Sequence, residues 1–176
     1  MNRRQFVHVI AAAANIIGLD EFVVIGSQAV LGTVAAIPDS MLVSMEADVY
    51  PLQEPERAVE VDGALGDGSQ FQRTFGYYAH GVGPETAKLP RGWKDRRVRV
   101  DVPPRPGSKR RPVAYCPEIH DLVLSKLAAG RERDIDYGRE AKAHGLVDPG
   151  VLSERVGDLP VSEEVRARVL SLIATL

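Results

Sequence analysis

The chain has one cysteine, Cys116, so no internal disulfide can form, and no histidine–cysteine cluster lies near it to hold a structural zinc ion. No apolar run reaches the roughly 18 residues that a membrane span requires, so no membrane association is expected. A global excess of positive charge is also missing: the formal net charge is -2 and the isoelectric point about 6.1. Contact with nucleic acid would therefore have to come from local patches. What is present, 176 residues with 44% hydrophobic content, suffices for one compact core, expected in the cytoplasm, and no internal repeat divides it.

"NRRQFV" followed by "HVIAAAANIIGL" superficially fits a twin-arginine export signal. Its spacing fits a core helix better. Phe6, Val9, Ile10, Ala13, Ile16 and Ile17 fall on one helical face, and His8 and Asn15 interrupt the all-round apolarity of an export segment. "FVVIG" reads as a strand buried on both faces, ended by Gly26 and Ser27. "SQAVLGTVAA" predicts a helix with Ser27 at its N-cap, stopped by Pro38 and Asp39 before a strand at 45–50.

Residues 54–65 are expected to be helical and "GDGSQ" at 66–70 a loop. Strands follow in "FGYYAHGV" and "WKDRRVRVDV", the second with Val98, Val100 and Val102 alternating against Arg97, Arg99 and Asp101. Beyond the basic, proline-rich connector 103–112 the pattern is helical over 118–129, 131–145, 149–156 and 162–175, with Val165, Val169, Leu172 and Ile173 as the last buried stripe. The expected fold class is α+β (mixed α/β): an α/β core over 1–116 and a C-terminal helical part over 117–176.

The chemistry is concentrated in "SMEADVYP" at 44–51. On a strand Glu46 and Asp48 share one face, roughly 6.5–7 Å apart at Cα, while Ala47 and Val49 face the other way. Two carboxylates so placed repel unless a divalent metal, an arginine or water intervenes. Mg²⁺ binds through one or two carboxylates plus substrate phosphates, and the Gly26-Ser27 turn between strand and helix is a candidate phosphate cradle. In "IHDLVLSKLAAGRERDID", Ile119, Leu122 and Lys126 share one helical stripe, so Lys126 either snorkels outward or meets an anion; Gly130 then breaks the helix. Asp134 and Asp136 fall in the first turn of the next helix, where acids favour the dipole.

A strand ending in Gly-Ser, a helix, then a strand bearing acid-x-acid resembles the polymerase-β-like nucleotidyltransferase superfamily. The resemblance implies phosphoryl transfer from an NTP assisted by Mg²⁺ or Mn²⁺, with Glu46 and Asp48 as metal ligands. Two departures stand out: Glu46 replaces the usual Asp, and residues 28–45 make a longer spacer than usual. The superfamily often adds a third carboxylate from a neighbouring strand; Asp101 is the candidate, with Asp67 in reserve. The blocks "GSQAVLG", "SMEADVYP", "FGYYAHGV", "LPRGWKDR" and "KLAAGRERD" look like a small family related to the AbiE- and MenT-type nucleotidyltransferase toxins. That narrower likeness implies that Lys126 contacts the triphosphate, that Asp134 or Asp136 is needed for activity, and that nucleotides are added to the 3′ end of tRNA.

His80 is left outside this site as a lone histidine, and Tyr77 and Tyr78 are expected to pack, with base stacking as the alternative. Arg105, Lys109, Arg110 and Arg111 form a candidate phosphate-backbone contact, Trp93 a core anchor, and His120 an exposed residue without a partner. The expected function is nucleotidyl transfer to RNA by the toxin of a toxin–antitoxin pair, with the antitoxin as a further partner. A small hydroxylated acceptor such as an aminoglycoside, or a non-catalytic nucleotide-binding module, are the alternatives.

Overall fold

The structure is a computed structural model that describes residues 1–104 and 107–176. It is α+β: a five-stranded mixed sheet flanked by helices. The strands are β1 (Glu21–Ile25), β2 (Glu46–Pro51), β3 (Tyr78–Gly81), β4 (Val98–Asp101) and β5 (Val113–Cys116), in the order β3-β2-β1-β5-β4. β1 pairs antiparallel with β2 and parallel with β5, β2 pairs parallel with β3, and β4 pairs antiparallel with β5.

Helix α1 (Arg3–Ile17) opens on a capping box in which Asn2 Oδ1 accepts from the Gln5 N–H at 3.0 Å and Gln5 Oε1 accepts from the Asn2 N–H at 2.8 Å. Phe6, Val9, Ile10, Ala13 and Ile17 are buried as the periodicity requires, whereas Ile16 is exposed. In β1 the apolar run divides between two cores: Phe22 and Val24 enter the main one, and Val23 and Ile25 enter a smaller one on the opposite face. The main core draws on residues from Phe6 to Ile173, so the change of element type near residue 116 is crossed by continuous packing.

The helix expected after Gly26 is shorter than its pattern suggests. Ser27–Ala29 is a 3-10 turn and α2 covers only Val30–Thr33; the cap position is taken by Gly26 and no side chain caps it. β-branched Thr33 and Val34 end it, and the Thr33 hydroxyl donates to the Ala29 carbonyl at 3.1 Å and to the Pro117 carbonyl at 3.0 Å, competing with helix continuation. Helix α3 (Ala58–Leu65) follows a 3-10 turn at Pro55–Arg57.

Two short helices border the expected strands, one between the loop expected at 66–70 and the strand in "FGYYAHGV", the other at the start of "WKDRRVRVDV". Helix α4 (Gln70–Phe75) is capped by Ser69 and stacks Phe71 and Phe75, one turn apart, with His8 and Tyr77. Helix α5 (Trp93–Arg96) precedes β4. The four helices expected at the C-terminal end are α6 (Ile119–Ala129), α7 (Glu132–Ala143), α8 (Pro149–Arg155) and α9 (Glu163–Ile173). Among the described residues no helix is long and apolar enough to cross a membrane.

Candidate active site

The antiparallel register of β1 and β2 sets Asp48 opposite Ile25, the residue before Gly26. Gly26 has φ 69° and ψ -170°, a conformation that suits glycine, and a Cβ there would lie 2.0 Å from Asp48 Oδ2. The Asp48 carboxylate therefore occupies the space that a side chain at 26 would need. Glu46 and Asp48 do share a face of β2, opposite buried Ala47 and Val49.

Strand β3 supplies each carboxylate with a partner. Parallel pairing places Tyr78 beside Glu46 and His80 beside Asp48. The Tyr78 hydroxyl donates to Glu46 Oε2 at 2.8 Å, and this bond, with burial behind it, pushes the tyrosine pKa up to about 12. The His80 Nδ1–H donates to Asp48 Oδ1 at 2.9 Å. Burial raises the Asp48 pKa above the usual carboxylate value; the His80 bond opposes this and the charge of Glu46 adds to it. His80, expected outside the site, thus belongs to it. Tyr77 is buried in the aromatic cluster, and the Tyr78 hydroxyl serves Glu46.

Lys126, on α6, points inward as its stripe predicts. Its side chain is 11% exposed, and Nζ donates to Ser27 Oγ at 2.7 Å and pairs with Asp134 Oδ1 at 3.2 Å. Burial lowers the Lys126 pKa, while the Asp134 charge opposes the shift. Asp134 is buried and also accepts from Arg131 Nε at 2.5 Å, so it fastens two cations beside the Ser27 turn. The Tyr137 hydroxyl donates to the Ser27 carbonyl at 3.0 Å, fixing the turn from α7. Because α2 is so short, Lys126 and Arg131, more than a helix dipole, supply positive charge here.

These groups line a cleft of about 850 Å³, within the roughly 300–1,000 Å³ usual for ligand sites. Arg133 and Asp136 line it too. Asp136 is exposed and paired with Arg139 at 2.8 Å, so of the two aspartates after Lys126 it is Asp134 that reaches the lysine. Among the described residues no group of three or more His, Cys, Asp and Glu side chains forms a metal cage. The donor set nevertheless fits a hard divalent ion that keeps waters and substrate oxygens, since two carboxylates share a face of β2 and both line the cleft.

Other expected site residues are placed elsewhere. Asp101 lies on edge strand β4, in register with Val113, which pairs with Glu21 at the start of β1, the end of that strand remote from Gly26. Its carboxylate is exposed and held by Arg99 at 2.8 Å, so the structure does not bring it to the cleft with Glu46 and Asp48. Asp67 accepts from Gln72 Nε2 at 2.8 Å and does not line the cleft.

Arg105 lies outside the described residues; Arg110 donates to the Gly18 carbonyl at 2.6 Å, again at the remote end of β1. His120 is half-buried, not exposed: Nδ1–H donates to Glu118 at 2.7 Å and Nε2 accepts from the Asp148 N–H at 2.9 Å. Trp93 is half-buried at the rim of the smaller core and borders a groove.

A mixed sheet that brings an acid-x-acid strand against a Gly-Ser turn, with a buried lysine opposite, is nucleotidyltransferase-like. Residues 4–173 match the model of a family described as nucleotidyltransferase of unknown function (DUF6036), and the chain belongs to that family. Comparison with curated proteins and with solved structures gave no match.

Proposed function

We propose that the protein transfers a nucleotidyl group from an NTP to a hydroxyl at the 3′ end of tRNA, with Mg²⁺ or Mn²⁺ as cofactor, and acts as the toxin of a toxin–antitoxin pair. The observation that carries the transfer is the convergence of Lys126, Ser27 and Asp48 on one cleft, with Lys126 Nζ 2.7 Å from Ser27 Oγ and Asp48 packed against Gly26. Lys126, Arg131 and Arg133 would bind the triphosphate, and Asp134 holds the first two in place. Glu46 and Asp48 would hold the metal, oriented by Tyr78 and His80. The ion, when bound, supplies charge that stabilises the phosphate oxygens as the bond changes. The acceptor oxygen attacks the α-phosphorus, the α–β phosphate bond breaks, pyrophosphate leaves and the hydroxyl proton passes to solvent.

The tRNA acceptor and the toxin role are supported by the likeness of five sequence blocks to the AbiE- and MenT-type toxins. The test is incubation with tRNA, Mg²⁺ and each α-labelled NTP in turn. Label is expected in RNA with at least one NTP and is expected to vanish in Asp48→Ala. No labelling from any of the four, or undiminished labelling by Asp48→Ala, would refute the proposal.

A further inference from the structure

The segment 84–99 concentrates positive charge in a chain of net charge -2: Lys88, Arg91, Lys94, Arg96, Arg97 and Arg99 stand against Glu85 and Asp95. Four of these cations are engaged. Arg91 pairs with Asp158 at 3.1 Å, Arg96 with buried Asp121 at 2.9 Å, Arg99 with Asp101 at 2.8 Å, and Arg97 lies 4.4 Å from the Tyr115 ring centre. Lys88 and Lys94 have no carboxylate partner among the described residues.

Both lysines line one groove of about 460 Å³, together with the rings of Trp93 and Tyr50 and a single carboxylate, Glu85. The groove is connected to the cleft by shared walls. Ala87 and Leu89 border both the groove and a side pocket of about 70 Å³, and that pocket shares Asp48, Lys126 and Thr86 with the cleft.

Lys88 Nζ donates to the Glu85 carbonyl at 3.0 Å, so its charge, like that of Lys94, is not neutralised, and such lysines beside aromatic rings match a ligand that alternates negative charge with flat rings. We infer that this groove binds a single-stranded stretch of nucleic acid, with a base against Trp93 and phosphates on Lys88 and Lys94. The segment 84–89 would then lead the strand's end toward Asp48. The binding stands on the groove alone; only its direction rests on the proposed transfer.

Trp93 is the only tryptophan, so its fluorescence reports the groove directly. A single-stranded oligoribonucleotide of about ten nucleotides is titrated without NTP or divalent metal, between about 50 and 200 mM salt. Saturable quenching is expected. Lys88→Ala/Lys94→Ala should weaken binding about tenfold and reduce the salt slope by about 1.4, two contacts at roughly 0.7 each on single strands. Trp93→Ala, followed by anisotropy of a labelled oligonucleotide, should weaken binding about 5- to 100-fold.

Absence of quenching, or quenching indifferent to loss of both lysines, overturns the inference. So does equal binding of a polyglutamate peptide, which would mark an acidic protein as the occupant. Oligonucleotide binding without any labelling of RNA would leave the groove standing and sink the transfer. Labelling with an unchanged KM for RNA in the double lysine variant would do the reverse.

Discussion

Gly26→Ala separates backbone strain from displacement of the Asp48 carboxylate. With φ 69° and ψ -170°, Gly26 sits in a region essentially restricted to glycine, where another residue costs about 1–3 kcal/mol. Gly145, at φ 67° with nothing within 4 Å of an added Cβ, is a control whose left-handed φ also disfavours alanine but which has no neighbour to displace. Urea unfolding should therefore show both alanine variants destabilised, Gly145→Ala by about 1–2 kcal/mol and Gly26→Ala by about 1–3 kcal/mol. At Gly26 the new Cβ would also sit 2.0 Å from Asp48 Oδ2 and 3.0 Å from Asp48 Cγ. Since ordinary heavy-atom contacts are near 3.5 Å, the carboxylate must move by more than about 1 Å. A misplacement of that size typically costs about 100-fold in rate. RNA labelling by Gly26→Ala should fall at least that far while Gly145→Ala stays near wild type. Equal activity in the two variants would show that contact between Gly26 and Asp48 has no part in the chemistry.

Tyr78→Phe and His80→Gln each remove a bond that orients a carboxylate, and each should raise the metal concentration for half-maximal labelling about 10- to 100-fold, with matching loss of Mn²⁺ binding by electron paramagnetic resonance; unaltered Mn²⁺ affinity counts against the assignment. Asp101→Asn touches only an exposed pair with Arg99, so labelling should stay within about twofold and stability within about 0.5 kcal/mol. Burial raises the Glu118 pKa, but hydrogen bonds from His120 and Arg155 outweigh it and bring the group down to about 2 from its ordinary 4.5. Its stabilising contribution is thus present above pH 4.5 and lost as pH falls through about 2, so urea midpoints of Glu118→Gln should fall less than wild type over that window. Gln28 is buried with both side-chain polar atoms unpartnered among the described residues, so the near-isosteric Gln28→Met should raise stability by about 1 kcal/mol; a loss of that size would contradict the orphaned pair.

The elements legible in the sequence are those long enough to repeat. Helices α1, α6, α7 and α9 span about three turns or more, so their apolar stripes recur, and β1 shows itself by four consecutive apolar residues. Helices α4 and α5 and strand β5, of six, four and four residues, complete too few periods to be read. "VAYC" is buried throughout, so it carries no alternation either. In the site, period two put Glu46 and Asp48 on one face and period 3.6 turned Lys126 inward, both from local spacing. The contributions of Tyr78 and His80 depend on a parallel register between segments 32 residues apart, which no local window contains. A signal did exist: Tyr78-Ala79-His80 repeats the polar-small-polar pattern of Glu46-Ala47-Asp48 and lies against it in register.

The same placement explains why the cleft is polarised. Asp134 is buried against two cations, Lys126 and Arg131, so that wall keeps a net positive charge after pairing. Arg139 and Asp136 cancel each other further along α7. The β2 wall is the opposite, with Glu46 held by a phenol and Asp48 by an imidazole, neither of which carries a fixed positive charge. A lone anion would meet repulsion from β2, and a lone divalent cation repulsion from Lys126 and Arg131. Under the proposed transfer, a triphosphate carrying its cation would satisfy both walls at once, with Lys126 and Arg131 holding the phosphates and Glu46 and Asp48 the cation. NTP affinity should therefore depend on divalent metal, and Asp48→Asn, which removes charge from β2 at nearly constant shape, should relax that dependence in calorimetric titrations; metal dependence as steep as wild type would mean that β2 does not face the cation.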